Sequence, residues 1–147
     1  MKTFVILRGV SGAGKTYESR NIIKELSSHS PISSFLIAST DDYFIDAEGK
    51  YTFEAHLLKR NHDLNFKRVV TAFSIDIQVV ILDNTNIKTS HYRHYEKIAK
   101  VFGYEVKKLL IGKLDVESVR EYHARSLHQV PLDILIRNAD EFEADNS

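Results

Sequence analysis

The most constraining feature of this sequence is the segment 9–16, which reads Gly-Val-Ser-Gly-Ala-Gly-Lys-Thr. It directly follows the apolar run 3–7, and a helical pattern comes after it. A glycine-rich turn between a strand and a helix, ending in Lys-Thr, is the G-x-x-x-x-G-K-[ST] pattern of a phosphate-binding P-loop. Gly9, Gly12 and Gly14 can adopt backbone angles closed to other residues, so consecutive N–H groups can point at one phosphate. The sequence therefore predicts a nucleotide site at this turn.

The P-loop pattern gives each of its positions an expected role. Lys15 is predicted to reach the β- and γ-phosphates, and the Thr16 hydroxyl is predicted to hold Mg²⁺. The alternative is a glycine-rich turn whose lysine is only a solvated charge, but the flanking strand and helix patterns argue against it. ATP and Mg²⁺ are the expected ligands. The predicted nucleotide-binding residues are Gly9, Ser11, Gly12, Ala13, Gly14, Lys15 and Thr16.

Apolar runs alternate with helical patterns along the chain, which is typical of βαβ units and a parallel sheet. Ser90 is expected to cap the third helix, and Pro131 is expected to open the last one. At 147 residues the chain is expected to form one domain over residues 1–147. The pattern predicts strands at about 3–8, 35–38, 77–82 and 106–111, and helices at about 15–28, 53–72, 90–102, 116–124 and 131–142.

Composition limits the partners and the setting. The formal net charge is zero, so a surface that binds nucleic acid would have to be local. There are no cysteines, which excludes disulfides and cysteine-based metal sites. The apolar runs are too short to span a bilayer, and the chain enters a strand with no signal-peptide pattern. A soluble, intracellular (cytoplasmic) protein is therefore expected.

Acidic residues that follow or end two of the strands are predicted to lie at the edge of the sheet where ligands bind. Asp83 ends the apolar third strand, as an acid that holds Mg²⁺ does, although an Asp-Asn turn is the alternative. Asp41 and Asp42 follow the second strand, and neighbours in an extended chain point in opposite directions. One of the two is expected to face the phosphates and accept the proton of an attacking hydroxyl; an acid in a solvated turn is the alternative.

Basic side chains give weaker signals. Arg120 or Arg125 is predicted to stabilise the charge of a transferred phosphoryl group, with a solvated helix face as the alternative. His91 and His94 are interpreted as surface or substrate-contact residues, because no acid lies at a spacing that indicates a metal site. A basic helix is expected at about residues 88–100, and it either contacts a nucleic-acid backbone or forms a solvated face.

Several sequence blocks, in order, resemble the small P-loop kinases related to 5′-hydroxyl polynucleotide kinase. Beside the P-loop, the similar blocks are 39–44 (Ser-Thr-Asp-Asp-Tyr-Phe), 49–53 (Gly-Lys-Tyr-Thr-Phe), 83–86 (Asp-Asn-Thr-Asn) and 125–131 (Arg-Ser-Leu-His-Gln-Val-Pro). The resemblance implies that Asp41 is the general base on the acceptor hydroxyl. It also implies that Arg125 is the arginine of a helical lid over the donor phosphates. Phe44 replaces an arginine that grips the acceptor phosphate in the phage enzyme, so acceptor binding is expected to differ.

The expected fold is a three-layer α/β/α P-loop kinase fold with a short parallel sheet ordered 2-3-1-4 and a helical lid. The expected function is transfer of the γ-phosphate of ATP to a hydroxyl, with the 5′-hydroxyl of DNA or RNA as the acceptor. A hydroxymethylated base, a nucleoside or another small hydroxyl compound stays open as the acceptor. A nucleotide-binding switch or slow ATPase with no acceptor is the alternative from another functional class.

Overall fold

The centre of the molecule is a parallel sheet that the apolar runs predict. The computed structural model describes residues 1–125 and 130–145. Within them the sheet has four strands in the order β2-β3-β1-β4, all parallel, so the predicted fold class and strand order are confirmed. The strands are β1 (Thr3–Arg8), β2 (Phe35–Ala38), β3 (Val79–Asp83) and β4 (Glu105–Leu110). The helices are α1 (Lys15–His29), α2 (Leu58–Ser74), α3 (Arg93–Val101), α4 (Val116–Arg125) and α5 (Leu132–Asp140).

Helices cover both faces of the sheet, because β1 and β3 are apolar at every position from Phe4 to Leu7 and from Val79 to Leu82. Alternate residues of these strands pack in opposite directions. Phe4 and Ile6 lie in a core with α2 and α3, whereas Val5 and Leu7 pack against α1. A third cluster joins the P-loop to α4 and α5 through Val10, Val119, Tyr122, Leu135 and others. Layers of helix, sheet and helix result.

Several element ends differ from the predicted ones. The second long helix begins at Leu58, because residues 55–57 form a separate 3₁₀ turn, Ala55–Leu57. Ser90 does not cap the third helix: it lies inside the 3₁₀ turn Thr89–His91, and α3 starts at Arg93. Pro131 precedes the last helix at its N-cap position, which is compatible with its missing N–H.

The strand register brings distant segments to one edge of the sheet. Leu7 of β1 pairs with Asp83 of β3, and Leu82 pairs with Ala38 of β2. The residues that follow, the P-loop, Thr40–Phe44 and the segment 84–86, therefore meet at the carboxyl ends of the strands. In open α/β sheets this is the edge that binds ligands.

None of the helices within residues 1–125 and 130–145 is long and apolar enough to cross a membrane.

Candidate active site

The P-loop is shaped by glycines, which the backbone angle favours at one position and the lack of room for a side chain requires at another. Gly14 has φ +102°, in the left-handed region, and immediately precedes α1. At Gly12, which has φ +83°, a Cβ atom would come within 2.4 Å of the carbonyl oxygen of Tyr122. The loop therefore packs directly against the backbone of α4. Lys15 is buried and donates a hydrogen bond from its Nζ to the Val10 carbonyl at 3.0 Å, inside its own loop.

Thr16 and Asp83 meet although 66 residues of chain lie between them, because β1 and β3 are adjacent. The Thr16 hydroxyl donates to Oδ2 of Asp83 at 2.9 Å. Burial raises the pKa of Asp83, which the Thr16 hydroxyl and the Lys15 ammonium oppose. Burial lowers the pKa of Lys15, and the Asp83 and Asp41 carboxylates oppose that shift. The carboxylate and the ammonium thus share one partly desolvated site.

The Thr16–Asp83 pair fits Mg²⁺ by its chemistry. A hydroxyl and a carboxylate oxygen are the hard donors that Mg²⁺ takes, and proteins bind this ion through one or two carboxylates plus substrate phosphates. In the part of the chain that the structure describes, no group of three or more His, Cys, Asp or Glu residues could hold a metal ion. The pair would thus hold Mg²⁺ together with the phosphates of a bound nucleotide.

Asp41 and Asp42 have different surroundings. They lie in the 3₁₀ turn Thr40–Phe44, not in an extended segment, because Ser39 and Asp42 form a capping box at its start. Oδ2 of Asp42 accepts a hydrogen bond from Arg68 at 3.0 Å, so this carboxylate is held on α2. Asp41 is partly buried and acts electrostatically on both Lys15 and Asp83. Asp41 is therefore the acid of the pair that lies within electrostatic reach of both Lys15 and Asp83.

Tyr51 is a neighbour of Asp41 to which the sequence gave no role. Its hydroxyl lies 3.4 Å from Oδ1 of Asp41. Burial and the Asp41 carboxylate together raise the pKa of Tyr51 to about 12. The Tyr51 phenol therefore stays protonated at neutral pH and presents a dipole to the carboxylate. The similar block at 49–53 contains this residue, but its contact depends on the isolated bridge between Ile45 and Tyr51.

Arg125 and Arg120 both lie on α4, and Arg125 contacts the P-loop. Its Nε donates to the Gly12 carbonyl at 3.0 Å, and its guanidinium lies 4.9 Å from the ring centre of Tyr122. Arg120 is exposed and lies five residues earlier, on a different side of the helix. Residues 126–129 of the similar block that begins at Arg125 lie outside the described part of the chain.

Arg8 is a second residue whose role the sequence did not predict. It immediately precedes the P-loop, and its side chain is 4% exposed. It donates to the carbonyls of Asn86 and Ile87 at 2.9 Å each and to that of Glu143 at 2.6 Å. The guanidinium also stacks on the ring of Phe142. Arg8 thus fixes the segment after β3 relative to the P-loop.

Residues 4–144 match the sequence model of a protein family described as an AAA domain. The chain belongs to this family. It is also 34% identical over 102 residues to NEDD4-binding protein 2 of Homo sapiens. The aligned part is 69% of this chain but 5% of that protein, so the chain spans a small fraction of this relative's length.

Several solved structures share the fold of the present chain at low sequence identity. A Pnkp1/Rnl/Hen1 RNA repair complex matches with a TM-score of 0.68 and 12% identity, over 96% of this chain and 44% of that one. Kti12 of Chaetomium thermophilum, in complex with ADP-AlF3, matches with a TM-score of 0.58 and 18% identity, over 97% of this chain and 74% of that one. The APS kinase CysC of Mycobacterium tuberculosis has a TM-score of 0.53 and 15% identity over 76% of each chain. The chain therefore has a P-loop kinase-like fold.

Proposed function

We propose that this protein is an ATP-dependent kinase that transfers the γ-phosphate of ATP to a hydroxyl, and that this hydroxyl is the 5′-hydroxyl of DNA or RNA. The observation that carries the proposal is Asp41, a carboxylate at the same sheet edge as Lys15 and Asp83 and within electrostatic reach of both. A nucleotide switch needs a P-loop and an acid for Mg²⁺. A kinase also needs an acid on the acceptor side, because the attacking hydroxyl must lose a proton.

The transfer step balances with the groups at this edge. Asp41 takes the proton of the acceptor hydroxyl as its oxygen forms a bond to the γ-phosphorus. The bond from the γ-phosphorus to the β–γ bridging oxygen breaks, and ADP leaves with that electron pair. Lys15 and Arg125 stabilise the negative charge on the transferred oxygens. Thr16 and Asp83 would hold Mg²⁺, which supplies further neutralisation of phosphate charge when bound.

The choice of a nucleic-acid acceptor is supported by local features. The Pnkp1/Rnl/Hen1 RNA repair complex is among the similar folds. Helix α3 and the segment before it expose several basic side chains, although the net charge of the chain is zero. Such a local concentration of charge is what contact with a phosphate backbone requires. The exposed residues that carry this charge are Lys88, Arg93, Lys97 and Lys100, and His91 and His94 are exposed beside them.

The test is phosphate transfer from labelled ATP to an oligonucleotide with a 5′-hydroxyl. We expect Asp41→Asn to lower kcat about 10²- to 10⁴-fold, because general-base catalysis contributes about that much, and to leave nucleotide affinity within a few-fold. The matched control is Asp42→Asn, which removes the same charge one residue away and should keep kcat within a few-fold. Equal rates for Asp41→Asn and wild type would remove Asp41 as the base. Hydrolysis of ATP with no transfer to oligonucleotides, nucleosides or modified DNA would favour a switch instead.

A further inference from the structure

The side chain of Arg68, on α2, reaches across to the turn that carries Asp41. Its Nη2 atom donates to the Ser39 carbonyl at 3.1 Å and to Oδ2 of Asp42 at 3.0 Å. Its guanidinium lies 5.0 Å from the ring centre of Tyr43, a distance at which the cation is attracted to the ring face. These three contacts fall before and after Asp41 in the sequence. One side chain therefore holds the turn on both sides of the proposed base.

The Arg68 guanidinium is fixed in turn by its own helix. The same Nη2 atom lies 2.6 Å from Oδ1 of Asn65, one turn earlier on α2, and Asn65 is fully buried. The neighbouring residue Val69 is also fully buried, in the core that α2 shares with the sheet. Arginine is planar and presents its N–H donors in a rigid fork, so its place on a packed helix sets where the contacted oxygens lie. Helix α2 thus supports the turn.

The turn Thr40–Phe44 needs such support, because its local hydrogen bonds are long. The Asp41 N–H donates to Oγ of Ser39 at 3.2 Å, and the Ser39 N–H donates to Oδ2 of Asp42 at 3.4 Å. A 3₁₀ turn also has poorer hydrogen-bond geometry than an α-helix. Bonds of this length are weak, so the position of the Asp41 carboxylate depends on contacts from outside the turn.

Other contacts tie the turn at its first residue. The Thr40 N–H donates to Oδ1 of Asn84 at 2.9 Å, and the Thr40 hydroxyl lies 3.1 Å from Nδ1 of His62. The Arg68 contacts add a hold on the two residues that follow Asp41. A turn held at both ends is limited in its rotation about Thr40.

We propose that Arg68 is a positioning residue for phosphoryl transfer, which keeps the Asp41 carboxylate where the acceptor hydroxyl reaches it. A general base must lie within hydrogen-bond reach of the hydroxyl it deprotonates, and an error of about 1 Å in position costs about 10²-fold in rate. The inference rests on the proposed kinase function and adds to it a residue that acts through Asp41. Asp42→Asn leaves the arrangement in place, because an amide oxygen still accepts from Arg68.

The first measurement is the rate at which Arg68→Met transfers phosphate from labelled ATP to a 5′-hydroxyl oligonucleotide. We expect kcat to fall about 10- to 100-fold, because the base is no longer held, while the KM for ATP stays within a few-fold. Arg68→Lys keeps the charge but not the fork, so its kcat should lie between those of wild type and Arg68→Met. The control is Val69→Ala, which leaves a cavity in the core beside the next residue of α2 and should keep kcat within a few-fold.

A double-variant cycle separates positioning of the base from support of the fold. If Arg68 acts through Asp41, Arg68→Met should slow Asp41→Asn by no more than about two-fold, because the carboxylate it positions is already gone. An arginine that only stabilises the fold would slow both backgrounds by the same factor. Arg68→Lys carries the same cycle if Arg68→Met does not fold.

The outcomes distinguish this role from the kinase function itself. Slowing that is confined to the Asp41 background, with the KM for ATP unchanged, would confirm the positioning role. Equal kcat for Arg68→Met and wild type, or equal slowing in the two backgrounds, would overturn it and leave the kinase intact. A wild-type protein that transfers phosphate to no acceptor would overturn the kinase and the positioning role together.

Discussion

Asp83 is an acid in a place that disfavours its charge unless a cation is near. It is 7% exposed, it accepts the Thr16 hydroxyl, and it lies within electrostatic reach of Lys15. A carboxylate in such surroundings gains most from a bound cation, because desolvation strengthens every charge interaction at the site. The buried position of Asp83 beside Thr16 and Lys15 therefore suits it to hold Mg²⁺ with a nucleotide better than an exposed acid would.

The first prediction concerns this acid. Asp83→Asn is expected to remove most of the Mg²⁺ contribution to nucleotide binding, so the affinity for ATP in Mg²⁺ falls by about ten-fold or more. Calorimetry of ATP binding with and without Mg²⁺ measures this without any need for turnover. The control is Asp76→Asn, at the opposite end of β3, where asparagine tolerates the observed φ of +60°. An unchanged Mg²⁺ contribution in Asp83→Asn would move the metal ligand elsewhere.

At the scale of single residues, the sequence predicts those whose roles follow from local spacing. Lys15, Thr16 and Asp83 are identified by a motif or by the end of an apolar run. His62 is different, since it carries no local signal and acquires its place when α2 packs against the turn at Thr40. Arg8 likewise resembles any charged residue at a strand end until its three carbonyl partners are known.

At the scale of elements, the P-loop and α4 are one packed unit. The Arg125 side chain donates to the Gly12 carbonyl, and the backbone carbonyl of Tyr122 lies so close to Gly12 that a Cβ there would come within 2.4 Å of it. The helix therefore contacts the loop from both its backbone and its side chains.

Gly12→Ala tests this packing. A Cβ at Gly12 would lie 2.4 Å from the Tyr122 carbonyl, so α4 must move away or the loop must change shape. Gly49 has the same φ of +83° but nothing within 4 Å of the position a Cβ would take, so Gly49→Ala isolates the backbone strain. We expect Gly49→Ala to cost about 1 kcal/mol of unfolding free energy, and Gly12→Ala about 3 kcal/mol together with a loss of nucleotide affinity. Equal losses of unfolding free energy in urea titrations of the two variants would show that α4 moves away from the new Cβ at no measurable cost.

Element boundaries were predicted less well than element order, for reasons that α2 illustrates. Its residues Asn61 and Asn65 have poor helix propensity and made the predicted helix weak. Both are fully buried, and their amide oxygens accept hydrogen bonds from Arg60 and Arg68. Those two hydrogen bonds lie within α2, and the tertiary support of the helix is the packing of Val69, Ala72 and Phe73 in the core beside the sheet, which its sequence pattern does not contain.

At the scale of the whole molecule, the segment 141–145 is bound back to the strands that carry the site. The Glu143 backbone N–H donates to the Ile87 carbonyl at 2.9 Å, and its side chain accepts from the Thr89 N–H at 3.1 Å. Asp145 accepts a hydrogen bond from Tyr92 and pairs with Lys108 of β4. The guanidinium of Arg8 joins this segment to β1. The last described residues therefore stabilise the sheet edge that begins the P-loop.

Replacing Arg8 tests this arrangement as a whole. Arg8→Met leaves three carbonyl acceptors without their charged donor, so we expect a loss of about 3 kcal/mol of unfolding free energy in urea titrations. Arg8→Lys keeps the charge but not the planar fork, and is expected to recover only part of the loss. Arg20→Met, on the exposed surface of α1, should stay within about 0.5 kcal/mol of wild type. The Ile87 carbonyl accepts hydrogen bonds from both Arg8 and the Glu143 backbone N–H. The hydrogen exchange of the Glu143 amide should therefore accelerate in Arg8→Met. Unchanged exchange there, with stability lost, would mean that Arg8 supports the segment 86–87 but not the end of the chain.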